Sequence, residues 1–238
     1  MRSAFLILAL LLGACVAGPS GPPPQASLPP SVEAPRLDAG TAARNFAEVI
    51  DRVRPVAERE CRSRAPRLNC DFMIVLDDRP GQPPNAFQTL DRSGRPVIGF
   101  TASLVADARN ADELAFILGH EAAHHIAGHI PRAQQTALAG ALILGTLAAL
   151  GGADAGVVRT AQDVGATVAV RSYSRDFELE ADRLGTVIAY RAGYDPERGA
   201  AFFNRIPDPG NRFLATHPPN AQRIELVRRE TARLRAGG

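Results

Sequence analysis

The stretch from His120 to His129 constrains the fold of this chain more than any other, because it holds four of the five histidines. Within it, His120, Glu121 and His124 stand in the pattern H-E-x-x-H. On an α-helix, residues four apart project from one face, a turn apart. Both imidazoles then reach one point, and Glu121 stands beside them. The spacing therefore predicts a helix, one zinc ion per chain, and Glu121 as the base that takes a proton from a zinc-activated water. The flanking residues agree with a helix. Asn110 is a candidate N-cap, Glu113 follows three residues on as in a capping box, and Leu114, Ile117, Leu118, Ala122 and Ile126 make an apolar flank. Pro131 is expected to break the pattern.

Zinc in hydrolases takes three protein ligands and keeps one position open. A further His six residues after His124 would supply the third, but Ile130 occupies that position. On a continuous helix His129 lies about 900° from His120, on the opposite face, and His125 is turned about 100° from His124. Both read as packing or hydrogen-bonding residues rather than ligands. The third ligand must come from elsewhere, and a carboxylate suits a His₂Glu site. In Ser174-Arg175-Asp176-Phe177-Glu178-Leu179-Glu180-Ala181-Asp182, Glu178 and Asp182 share a helix face while Glu180 looks away. Spacing leaves open which of the two ligates and which orients a ligand imidazole, and a solvated acidic face is the competing reading. His217 precedes Pro218 and Pro219, which impose an extended, rigid entry to the last helix. Near the metal it could donate to a developing oxyanion. It could also fill the open zinc position, or simply pack a loop. Arg223, a turn further on, is positioned to pair with Asp182.

H-E-x-x-H, then E-x-x-A-D on a later helix, then T-H-P-P-x-x-x-R-I, together resemble the M48 family of zinc metallopeptidases. The matching residues are His120, Glu121, His124, Glu178, Ala181, Asp182, Thr216, His217, Pro218, Pro219, Arg223 and Ile224. Asn85-Ala86-Phe87 resembles the strand that usually precedes the motif helix in that family. The resemblance runs from about Asp38 to the end. It implies an endopeptidase with Glu178 as third zinc ligand. Gly128 departs from the pattern, since an Arg often precedes the final His.

At 238 residues, with 45% hydrophobic and 22% charged side chains, the chain has material for one globular domain plus extensions. A net charge of +2 and the lack of a basic, aromatic-interleaved run argue against nucleic acid as a partner. Arg2 followed by the apolar run Ala4 to Leu12 predicts a signal peptide over residues 1–14. Leu12-Gly13-Ala14-Cys15 resembles a bacterial lipoprotein box, which implies lipid on Cys15. With Val16 next rather than Asp, it implies anchoring to the inner leaflet of the outer membrane, on the periplasmic side of a Gram-negative cell. Seven of the nineteen prolines fall between Gly18 and Pro35, so residues 15–37 read as a lipidated N-terminus and tether. Residues 38–238 form the peptidase domain. With Cys15 taken by lipid, Cys61 and Cys70 are an even pair in an oxidising compartment and are expected to form a disulfide, the alternative being two buried thiols.

Within the domain, apolar spacing predicts a helix over Thr41 to Arg62, kinked or interrupted by Pro55. Strands are expected over Phe72 to Leu76, Asn85 to Leu90 and Pro96 to Phe100, with a turn at Asp91 to Gly94. Later helices should span Ser174 to Ala192 and Asn220 to Arg235. The fold class is α+β: a mainly helical, zincin-like metalloprotease domain with a small antiparallel β-meander. The uncharged run Ala133 to Ala153 should form a buried or membrane-edge helical hairpin rather than a transmembrane span. A substrate peptide is expected to lie along the meander's edge at Asn85, Ala86 and Phe87. The expected substrates are unfolded or misfolded envelope polypeptides. A second class of function is a zinc-bearing chaperone or binding module that assists the outer-membrane assembly machinery with little or no turnover.

Overall fold

A computed structural model describes residues 35–208 and 218–237, without the side chains of 170–173. The expected signal peptide, Cys15, most of the tether, and His217 lie outside the described residues.

The first helix, α1 (Ala39–Arg64), is capped by Asp38, whose carboxylate accepts from the Thr41 N–H at 2.9 Å. Pro55 was expected to kink or interrupt it, yet lies inside one continuous helix. The lost backbone bond is offset by the buried stripe Phe46, Val49, Val53, Val56 and Ala57. Cys61, near the end of α1, is disulfide-bonded to Cys70, closing a loop onto the strand that follows.

Three strands follow: β1 (Met73–Asp77), β2 (Ala86–Leu90) and β3 (Pro96–Thr101). Their order is β1-β3-β2, with β1 parallel and β2 antiparallel to β3. The sheet is therefore mixed, not the antiparallel meander that the sequence suggested. Only β2 and β3 are joined tightly, through a turn in which Asp91 accepts from the N–H groups of Ser93 and Arg95. The β1–β2 connection, residues 78–85, holds three prolines and is long enough to carry the chain past β3. β3 is buried along its whole length, and β2 is left at the sheet's edge.

After the short α2 (Ala102–Asp107), the motif helix α3 (Ala111–Ile126) starts at Asn110, whose side chain accepts from the Glu113 N–H at 3.0 Å. Glu113 reaches back to the backbone N–H of Arg109 and takes a two-pronged ion pair from Arg205, so this fully buried carboxylate is satisfied. α3 is central, lying against α1, α5 (Ala155–Arg191) and α6 (Pro196–Ala200). Its apolar side joins Val49, Val53, Phe72, Ile98 and Phe100 in one core.

The chain leaves α3 earlier than Pro131 suggested. Gly128 adopts φ +65°, a left-handed conformation that an L side chain resists, and starts α4 (His129–Leu150). Pro131 sits in the first turn of α4, where a missing N–H costs nothing. The uncharged run that was expected to fold into a hairpin by itself is instead nearly all one helix, α4, which pairs with α5 as a longer hairpin. Gly140 and Gly165 bring them into backbone contact: a Cβ on Gly140 would lie 2.2 Å from the Gly165 carbonyl oxygen. The hairpin is not buried, because Leu138, Leu142, Ile143, Leu147 and Leu150 are 57–81% exposed. α4 is also the one described helix long and apolar enough to cross a membrane. The final helix, α7 (Asn220–Ala236), packs on α5 and α6.

Candidate active site

The site is built where α3 and α5 touch. Gly119 and Gly185 face each other so closely that a Cβ on Gly119 would lie 2.8 Å from the Gly185 carbonyl oxygen. This contact, next to His120 in sequence, lets short carboxylates on α5 reach the imidazoles on α3. His120 Nε2 and His124 Nε2 lie 3.0 Å apart. The Glu178 carboxylate stands 3.6 Å from the first and 3.4 Å from the second. Zinc bonds of about 2.0–2.2 Å in a tetrahedron put donors about 3.3 Å apart. The three donors match that edge length, and their atoms all fall within 4.8 Å of one another. Two imidazoles and a carboxylate thus fit a single zinc ion.

The remaining faces of these groups are held by a buried network. Asp182 Oδ1 lies 2.9 Å from His120 Nδ1, and both Asp182 oxygens accept from Arg223 at 2.7 Å. Arg223 also comes within 3.4 Å of Glu178 and lies over the Phe203 ring at 4.0 Å. Spacing left Glu178 and Asp182 interchangeable, whereas here Glu178 faces both Nε2 atoms and Asp182 backs His120. Burial works against the charge of Asp182, yet the hydrogen bonds from Arg223 and His120 outweigh it and hold its carboxyl below the usual range. Burial likewise opposes a charge on His120, but the bond and charge of Asp182 raise its pKa. Glu121 is pushed up by burial, and the neighbouring imidazoles counter this only in part.

These residues open onto a cleft of about 380 Å³. Asn85 and Ala86 line one wall, Glu121 and the three donors the floor, and Phe116, Phe202 and Phe203 an apolar end. Asn85 and Ala86 therefore meet the site as the sequence suggested. Phe87 does not line the cleft; its ring covers Gly99 on the neighbouring strand. His125 turns away, within 2.8 Å of the Asn69 carbonyl and edge-on to Phe72.

His129 is a buried hydrogen-bonding residue as the sequence suggested, but its position and its partner Glu180 were not foreseen. His129 is not on the far face of α3, because the left-handed Gly128 re-aims it. Its Nδ1 lies 2.7 Å from His124 Nδ1, and its Nε2 lies 3.1 Å from Glu180. Glu180, thought to look away, is the partner. Burial keeps the His129 ring neutral, with a pKa lowered to about 4. The Ala-Gly-His sequence closing the motif was the available signal, since Gly commonly ends a helix in the left-handed region.

Residues 43–231 match the family model for peptidase family M48. The chain belongs to that family. The M48 match covers the sheet, both motif helices and α7 as far as Thr231, so the site described above falls entirely within it. Among curated proteins, the chain is 30% identical over 133 residues to a putative beta-barrel assembly-enhancing protease of Vibrio cholerae, covering 51% of this chain and 26% of that protein. It is 31% identical over 135 residues to the beta-barrel assembly-enhancing protease of Yersinia pestis, covering 50% and 27%. It is 27% identical over 135 residues to the mitochondrial metalloendopeptidase OMA1 of Arabidopsis thaliana, covering 55% and 27%. The chain thus spans about a quarter of the length of the relatives it matches.

Proposed function

We propose that this chain is a zinc-dependent endopeptidase acting on unfolded or misfolded proteins of the cell envelope. The observation that carries the reading is the convergence of His120 Nε2, His124 Nε2 and the Glu178 carboxylate in a cleft floored by Glu121. A zinc ion on these donors supplies Lewis acidity, lowering the pKa of bound water and polarising a carbonyl. Glu121 takes the water's proton and returns it to the leaving amine. Its place on the cleft floor beside the three donors suits both halves of that cycle. Asp182 and Arg223 hold the His120 ring in place from behind. The free edge of β2 accepts the substrate backbone as an added strand, with Asn85 and Ala86 beside the scissile bond and Phe87 bracing the strand.

His217 enters this reading from sequence alone. His217→Ala should lower activity if the side chain donates to the oxyanion and raise it if the side chain blocks the metal. The location is the periplasm, with lipid on Cys15 anchoring the chain to the outer membrane behind a tether over residues 15–37. The exposed apolar face of α4 supports a body held at a lipid surface.

The test is digestion of casein by the purified full chain. Cleavage should be abolished by a chelator, restored by zinc, and reduced by about 10²–10⁴-fold in Glu121→Gln with zinc still bound. Wild-type cleavage by that variant would remove Glu121 as the base. The relatives' names join beta-barrel assembly to protease activity, and the assembly half alone suggests a second reading, a zinc-bearing module that assists outer-membrane protein assembly with little turnover. In that case neither casein nor unfolded envelope proteins would be cut, while Glu121→Gln would complement as well as wild type.

A further inference from the structure

His129 and Glu180 are linked in a row that ends on a zinc-site imidazole. His124 turns its Nε2 toward His120 and Glu178, and its Nδ1 toward His129 Nδ1 at 2.7 Å. His129 Nε2 lies 3.1 Å from Glu180 Oε2, and that oxygen accepts from Arg132 at 2.7 Å. The His129 ring is also held by packing on one face. It is buried, and it stacks on Phe177 at 4.5 Å with 14° between planes. Arg132 covers the same phenyl ring at 4.5 Å.

The direction of the row follows from chemistry. A ring nitrogen that binds metal carries no proton, so the His124 proton sits on Nδ1 and is donated to His129. His129 Nδ1 must then accept, which puts its own proton on Nε2, pointing at the Glu180 carboxylate. Each group has one tautomer consistent with its neighbours. We propose that His129 and Glu180 are positioning residues for His124, fixing its tautomer and ring plane as Asp182 does for His120. The two imidazoles are thus backed differently: one by a buried carboxylate directly, the other through an interposed imidazole and a carboxylate at the surface. The inference rests on the zinc reading of the site.

The experiment measures the zinc affinity of the full chain, stripped of metal and titrated against a competing chelator. Wild type failing to bind zinc would sink the zinc reading itself. Given wild-type binding, His129→Phe keeps a flat ring over Phe177 but breaks the row, and should weaken zinc by about 10–100-fold. His129→Gln, whose amide can accept from His124 and donate to Glu180, should recover most of that loss. Glu180→Ala acts at a half-exposed side chain that folding tolerates, and should weaken zinc by a smaller factor. Cobalt-loaded His129→Phe should show shifted visible bands. In nitrogen-15 spectra of the zinc form, a coupling should connect His124 Nδ1 and His129 Nδ1. Zinc affinities within twofold of wild type for both His129→Phe and Glu180→Ala, or the lack of that coupling, would overturn the assignment.

Discussion

α3 and α4 follow each other in the chain and are both apolar, yet they meet opposite fates. Of the 16 residues of α3, 13 are buried; of the 22 in α4, only His129 and Gly145 are. Hydrophobicity therefore does not decide which helix enters the core. α3 carries polar groups whose partners lie on other elements: Glu113 with Arg205, His120 with Asp182, His125 with the Asn69 carbonyl. Burying α3 satisfies them all at once, and none can be met with the helix elsewhere. Beyond its first turn, α4 shows no such pairing among the described residues. It needs one neighbour, α5, and the Gly140–Gly165 contact supplies it. The other face is left to whatever surrounds the molecule.

The sharpest way to break this contrast is at Asp182. Asp182→Ala leaves Arg223 buried without its main partner and His120 without support. We expect a loss of about 3–5 kcal/mol, read from chemical unfolding. A loss under 1 kcal/mol would mean that the network does not govern the burial of α3. Next comes a paired deletion. Leu118→Ala, in the core, should cost about 2–5 kcal/mol, while Leu147→Ala, 60% exposed, should stay within about 0.5 kcal/mol. Equal costs would put α4 in a packed environment that the monomer does not display.

A third prediction asks what meets that exposed face. The chain has no tryptophan, so Leu147→Trp places one reporter on α4. With phosphatidylethanolamine–phosphatidylglycerol vesicles its emission should shift to the blue and be quenched by brominated acyl chains, whereas a Trp at Arg92 should not respond. A blue shift that depends on protein concentration and ignores lipid would point to self-association instead.

The smallest effect concerns Glu121. Its pKa is raised on folding above the reference of 4.5, so the ionised carboxylate destabilises the metal-free fold at neutral pH. The penalty is absent below the unfolded value and grows as pH rises through the folded one. Metal-free Glu121→Gln should therefore melt above wild type at pH 7, and the gap should close near pH 4. A gap that widens on acidification would reverse the assigned shift.

Much of this site was legible in the sequence because helical periodicity is local. His120, Glu121 and His124 on one face, and Glu178 with Asp182 on another, need only a turn of 3.6 residues. The choice between Glu178 and Asp182 was not legible, because it depends on how deep each residue sits along the Gly119–Gly185 contact between distant segments. His129 was misplaced for a different reason, and its link to Glu180 was missed with it. The wheel argument assumed an unbroken helix, and one left-handed residue at Gly128 invalidates it. The sheet went astray through topology: alternation finds strands, but it does not say which side of β3 receives β1.

One property of α5 sets a limit on what the protein can reach. This single helix carries the hairpin's return at Ala155 and the cleft's Glu178. At about 1.5 Å per residue, the 23 steps between them span about 35 Å. If the tip of the hairpin sat at a lipid surface, the cleft would stand about that far from it. Polypeptide held well beyond that depth would then be out of reach, however good a sequence it offered.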